Sequence, residues 1–222
     1  RMEYTMNRYR ILSALVVLLA SSAAFAVRVA NRVYYFSEGV TDPGLKASLH
    51  SVEQLAAQGK FAHAATGILE TVQSAAGTAS AELLAPDAAQ GSLGFQLAVV
   101  RLHYLGTASR WQDAGLPAQI QATISQYNDD ARGKRWPFFL ALCRQLVTSY
   151  NALRDTNGVY NAYQTLLAYD PANEESMGAY VRWCLGQGKK MDGRPVLQQI
   201  QQYQSAGGTL TPEIAMAKIK IQ

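Results

Sequence analysis

The chain has 222 residues, a formal charge of +4 and a sequence pI of about 9.1. Residues 1–36 hold five arginines and one glutamate, a net +4, so the rest carries 15 Lys+Arg against 15 Asp+Glu and is neutral. That distribution excludes a nucleic-acid-binding body, which needs clustered Lys and Arg.

The first element is apolar. Residues 11–26, ILSALVVLLASSAAFA, are sixteen residues without a charge. Arg8 and Arg10 stand before them, and Arg28 and Arg32 after them. Two readings fit. As a leader, the stretch has a basic start, an apolar middle and a small-x-small site at Ala24-Phe25-Ala26. As a membrane span it falls short of the ~20 residues that a bilayer core needs. Arg28 makes up the deficit by snorkelling, and Val29, Ala30 and Val33 continue the apolar face to Tyr34, Tyr35 and Phe36, aromatics of the kind found at a membrane interface. The expectation is an uncleaved signal-anchor helix over residues 9–36. Arginines on the N-terminal side, and the leader-like character of the span, put the N-terminus in the cytoplasm and the body outside a bacterial-type inner membrane. The opening Arg1-Met2 carries the expectation that a few residues precede it.

Residues 37–222 read as an all-α domain. Proline marks helix starts at Pro43, Pro117, Pro137, Pro171, Pro195 and Pro212, where its missing N–H costs nothing. Asp42 and Thr211 are suitable N-caps directly before it. Leu45, Leu49, Val52, Leu55 and Ala56 recur at helical steps, as do Phe61, Ala64, Ala65, Ile68 and Leu69 after Gly59. Further helices are predicted over 94–104, 117–127, 137–153, 160–169, 174–185, 195–205 and 212–219. The Ala/Gly/Ser-rich region 74–92 is predicted as a long loop, 106–115 as a shorter one and 128–135 as a polar connection. No segment alternates as a strand would.

Short glycine turns between helices recur. Gln58-Gly59-Lys60-Phe61-Ala62-His63-Ala64 and Gln187-Gly188-Lys189 share a turn, and Leu166-Leu167-Ala168-Tyr169-Asp170-Pro171-Ala172-Asn173 breaks the chain between two units. These stretches resemble tetratricopeptide repeats, over residues 45–69 and 144–205. The pattern is looser at Val52 and Leu55, where the family prefers Gly and Tyr, and at Lys190, where it has an aromatic. The resemblance implies a helical-hairpin solenoid. It also implies that Lys46, Leu49, Glu53 and Ala56, and later Glu175, Gly178 and Arg182, face an inner groove.

Sites for chemistry are few. His50 and Glu53 share a helix face, but a di-metal bundle site needs two such pairs, and His63 and His103 lack the carboxylate. No metal site and no cofactor is expected. Gly186-Gln187-Gly188 has no preceding strand and reads as a helix turn rather than a nucleotide site. No nucleophile elbow, zincin or phosphate-loop motif occurs. Cys143 and Cys184 lie in apolar helical segments, as buried hydrophobes or as a disulfide between packed helices. Twelve tyrosines and three tryptophans are numerous for such a body, and most are expected in the core. Where an aromatic adjoins arginine it can anchor a partner, which singles out Arg135-Trp136 and Arg182-Trp183.

The expected function is that of a non-catalytic accessory or scaffold subunit, docked on protein subunits of a membrane complex and held in the bilayer by residues 9–36. The alternative is a membrane-tethered or exported envelope enzyme or binding protein with an unrecognised site.

Overall fold

The structure, a computed structural model, describes residues 33–131, 136–187 and 193–221. Among these residues are ten α-helices, one 3-10 turn at Ser37–Gly39 and no strand. The helices are α1 (Pro43–Ala57), α2 (Phe61–Ser74), α3 (Thr78–Leu84), α4 (Leu93–Ala108), α5 (Leu116–Ala131), α6 (Pro137–Ala152), α7 (Thr156–Tyr169), α8 (Glu174–Gln187), α9 (Gly193–Ser205) and α10 (Pro212–Ile221). No described helix is long and apolar enough to cross a membrane. The expected anchor lies outside the described residues up to residue 32.

Short polar side chains set the helix starts. Asp42 accepts from the Leu45 N–H at 2.9 Å with Pro43 in the first position, and Asp155 accepts from the Gly158 N–H at 2.9 Å. Asn173 does the same for Ser176 at 2.9 Å. Each cap satisfies a donor that the helix leaves orphaned and is worth about 1 kcal/mol. Between α1 and α2 the chain reverses at Gly59, whose φ of +74° is open to glycine and strained for other residues. The Lys60 N–H then donates back to the Leu55 carbonyl at 2.9 Å.

Helix α4 is the centre of the body. It is buried around most of its circumference, Gln96 and His103 included, as a helix enclosed by others is. Phe95, Val99 and Leu102 enter a core shared with α5 to α10, while Leu97, Val100 and Tyr104 enter a second core with α1, α2 and α3. The helices pack in sequence, α1 on α2, α4 on α5, α5 on α6, α6 on α7 and so on to α10. The even-numbered helices also form a row, α2 on α4, α4 on α6 and α8 on α10. Between α6 and α8 the row is joined by the Arg144–Glu175 ion pair at 2.6 Å.

Three expectations are corrected. The predicted loop over 74–92 contains α3, which buries Ala79 and Leu83 against α4; its alanines are strong helix formers that the small-residue composition disguised. The predicted connection 128–135 is helical as far as Ala131, whose methyl is fully buried beneath an otherwise polar turn. Residues 33–36, expected to end the anchor helix, are not helical. Instead Tyr34 and Phe36 lie half-buried on the body, with ring centroids 6.0 and 6.1 Å from Phe138, and only Tyr35 is left exposed.

Candidate functional site

Four helices and two non-helical segments line a groove of about 420 Å³. Helix α6 forms its floor with Ala141, Arg144, Gln145 and Thr148, and α8 forms one wall with Glu175, Ser176, Ala179 and Arg182. Tyr163 of α7 lies beneath. The opposite wall is aromatic, made of Tyr34, His103 of α4 and Trp111 from the loop after α4.

The backbone goes to unusual lengths to place Trp111. Arg110 and Trp111 are consecutive non-glycine residues at φ +53° and +63°. Such conformations cost about 1–3 kcal/mol each and persist only where packing fixes them. Here the Trp111 N–H donates to the Gly106 carbonyl at 2.6 Å, and the indole lies on Gly106, where a Cβ would meet the ring. The ring then stands 5.9 Å from His103, which in turn lies 5.8 Å from Tyr34.

Two polar groups are buried in the floor and wall. Gln145 is 6% exposed and Ser176 2%. The Gln145 Nε2 donates to the Val99 carbonyl of α4 at 3.2 Å. A carbonyl only accepts, so the amide is fixed with its Oε1 on the other side, and that oxygen has no partner among the described residues. The Ser176 hydroxyl has none either. An unsatisfied buried group costs about 1–3 kcal/mol, and both of these side chains line the groove.

Charges at the rim are paired. Arg144 donates to Glu175 at 2.6 Å, and Arg182 to Glu213 at 2.8 Å. Burial pushes the Tyr163 hydroxyl up to about 12, against the lowering influence of Arg182, so the ring beneath the groove is neutral at physiological pH.

The expected partner-binding residues fall in different places. Arg182 lines the groove, and Trp183 is half-buried beside it with its ring 5.7 Å from Tyr163. Lys46 is exposed on α1, away from the groove. Glu53 faces no groove. It is 5% exposed and accepts from the Phe36 and Ser37 N–H groups at 2.6 and 2.8 Å and from the Ser37 hydroxyl at 2.7 Å. Its carboxylate therefore ties the residues before α1 to the body. Trp136 is also interior, 5% exposed, with its Nε1 donating to the Ala88 carbonyl at 2.9 Å. Arg135, and the interface arginines Arg8, Arg10, Arg28 and Arg32, lie outside the described residues. Sequence reasoning missed Trp111, Arg144, Gln145 and Ser176. The available signal was the spacing of Arg144 and Glu175, which recurs at Arg182 and Glu213.

Among the described residues no group of three or more His, Cys, Asp or Glu could hold a metal ion. His50 is exposed beside Gln54, and His63 is exposed. Cys143 and Cys184 are both buried and free, with no disulfide between them. Comparison with known protein families, with curated proteins and with solved structures finds no match to this chain.

Proposed function

We propose that this chain is a non-catalytic accessory or scaffold subunit of a membrane protein complex, with a tetratricopeptide-like helical body that binds protein. The part of the expected anchor that precedes Val33 holds it in a bacterial-type inner membrane, with the body on the far side. The observation that carries the reading is the row of even-numbered helices with a groove at its α6–α8 junction whose rim charges are paired. Stacked helix pairs with such a surface suit extended protein partners. The two ion pairs support a repeated unit: Arg144 and Arg182, like Glu175 and Glu213, are 38 residues apart (144 to 182, 175 to 213). That step is longer than the ~34 of a tetratricopeptide unit, so the body is proposed as a lengthened variant. The role proposed is binding, in a groove whose rim charges, Arg144 with Glu175 and Arg182 with Glu213, are already paired.

The test is gentle detergent extraction of native membranes, size separation, and mass spectrometry of what migrates with the chain. Stoichiometric co-migration with a larger complex is expected. A chain that runs alone, at its own 24.2 kDa plus a micelle, sinks the scaffold reading.

A further inference from the structure

The groove between α6 and α8 is the least closed part of the helical row. Its other neighbours pack helix on helix, whereas α6 and α8 are joined by a pair of exposed side chains, Arg144 and Glu175. Aromatic rings, Tyr34 and Trp111, stand on one side of that gap, and Tyr163 lies beneath it. Beneath it lie an unpartnered acceptor, Gln145 Oε1, and an unpartnered hydroxyl, Ser176 Oγ, on side chains that are more than nine-tenths buried. A folded chain keeps such atoms unpaired at a cost, and the cost is recovered when a ligand supplies the missing hydrogen bonds.

We propose that this groove binds a short, uncharged peptide segment of a partner protein through one aromatic anchor side chain. The proposal rests on the scaffold reading above and names the site through which that scaffold would act. Three observations select the occupant. Trp111, Tyr34 and Tyr163 form walls against which an aromatic ring packs edge-on or offset. The fixed orientation of Gln145 leaves an acceptor, so the occupant must bring an N–H or O–H donor, which peptide backbone, tyrosine and tryptophan all carry. The rim charges already neutralise each other at 2.6 and 2.8 Å, so a charged ligand would have to break a pair to gain one. The available 420 Å³ exceeds one aromatic side chain and accommodates its flanking backbone.

Both atoms are shielded from solvent, so the occupant reaches them by parting α6 from α8 locally, where the Arg144–Glu175 pair bridges the two helices at the surface. Exposed pairs of this kind contribute little, so this bridge itself adds little resistance.

The experiment uses the full-length chain in detergent. A displayed library of random peptides is panned against it, the enriched sequences are synthesised with a fluorescent label, and affinity is read by anisotropy. Three changes then probe the groove. Ala179→Trp fills it from α8, Thr148→Trp fills it from the exposed rim, and Gln145→Met removes the acceptor. The Thr148 variant stands at an exposed position, so it keeps the test decisive if Ala179→Trp fails to fold. The enriched peptides are expected to share an aromatic residue and few charges, to lose about tenfold or more in affinity on either tryptophan substitution, and to lose a further hydrogen bond's worth with Gln145→Met. Peptides that bind the tryptophan variants unchanged, an enriched motif that is charged, or no enrichment overturn the proposal. Photo-crosslinking from p-benzoylphenylalanine placed at position 179 in native membranes separates the remaining occupants. An adduct with residues 1–32 of the same chain, or with a second copy of it, also overturns the proposal. Failure of these tests in a chain that still co-migrates with its complex removes the groove and leaves the scaffold reading. A chain that migrates alone removes the scaffold reading itself.

Discussion

Arg182 of α8 reaches Glu213 of α10 across the same 31 residues that separate Arg144 of α6 from Glu175 of α8. In both cases the acceptor is the second residue of its helix, where a negative charge also meets the positive end of the helix dipole. The ladder stops at α6, whose second residue is Phe138, packed instead against Tyr34 and Phe36. One helical row therefore carries two kinds of junction: ion-paired toward the C-terminus and aromatic where the first described residues cover it.

The ladder sets register more than stability. All four side chains are between 38% and 57% exposed, so solvent screens them. Double-mutant cycles with Arg144→Ala and Glu175→Ala, and with Arg182→Ala and Glu213→Ala, are expected to give coupling of about 0.2–1 kcal/mol in each pair, falling with added salt. Coupling of several kcal/mol, or coupling indifferent to salt, would show that these pairs hold the row together.

Glu53 presents the opposite case. Its carboxylate is buried and takes three donors from Phe36 and Ser37. Glu53→Ala orphans all three and is expected to lower stability by about 3 kcal/mol, read as the midpoint of urea unfolding. Glu53→Gln keeps an acceptor and should lose less, about 1 kcal/mol, because only the charge assistance goes. Equal effects of the two variants would mean that the carboxylate acts by something other than accepting these bonds.

Glu53 and the helix caps show what the sequence carried and what it hid. The prolines, the caps at Asp42 and the three- and four-residue spacing of Leu45, Leu49 and Val52 were legible, because they are local and obey one helix's geometry. The all-α class followed. Glu53 was misjudged because its pattern position was read as surface. Its partners lie 16 and 17 residues earlier, in a segment that helical periodicity did not describe. Helix α3 was obscured by composition, since Ala and Ser serve loops and helices alike. The groove was hidden for a third reason: Trp111, Gln145 and Ser176 come from three separate elements, and no spacing rule joins them.

Trp136 extends that point to the core. Beside arginine in the sequence, it has the make-up of an interface anchor, yet it packs 5.4 Å from Phe95 and caps the Ala88 carbonyl. Trp136→Ala is expected to cost about 3–5 kcal/mol through the cavity it leaves. Trp136→Phe keeps most of the packing, loses one hydrogen bond, and should cost about 1–2 kcal/mol. A calorimetric melt of each variant distinguishes them. Tolerance of alanine without loss of stability would return Trp136 to the surface.

The last prediction concerns alkaline pH. Burial pushes the Tyr104 hydroxyl from 10.0 up to about 12, the Cys143 thiol from 9.0 to about 12 and the Cys184 thiol from 9.0 to about 11. Burial raises Tyr180 as well. Each group is neutral when protonated, and the folded state holds the proton more tightly than the unfolded one. Their contribution is therefore complete below the unfolded values and is lost as pH rises through the folded ones. The urea midpoint is expected to hold up to about pH 9 with respect to these groups and then to fall steadily toward pH 12. The same burial makes the thiols unreactive, since the thiolate is the nucleophile. A disulfide-exchange reagent at neutral pH should therefore modify neither cysteine in the folded chain, and both once denaturant is added. Rapid labelling of the native protein, or a midpoint unchanged between pH 9 and 12, would mean that Cys143 and Tyr104 are not enclosed as described.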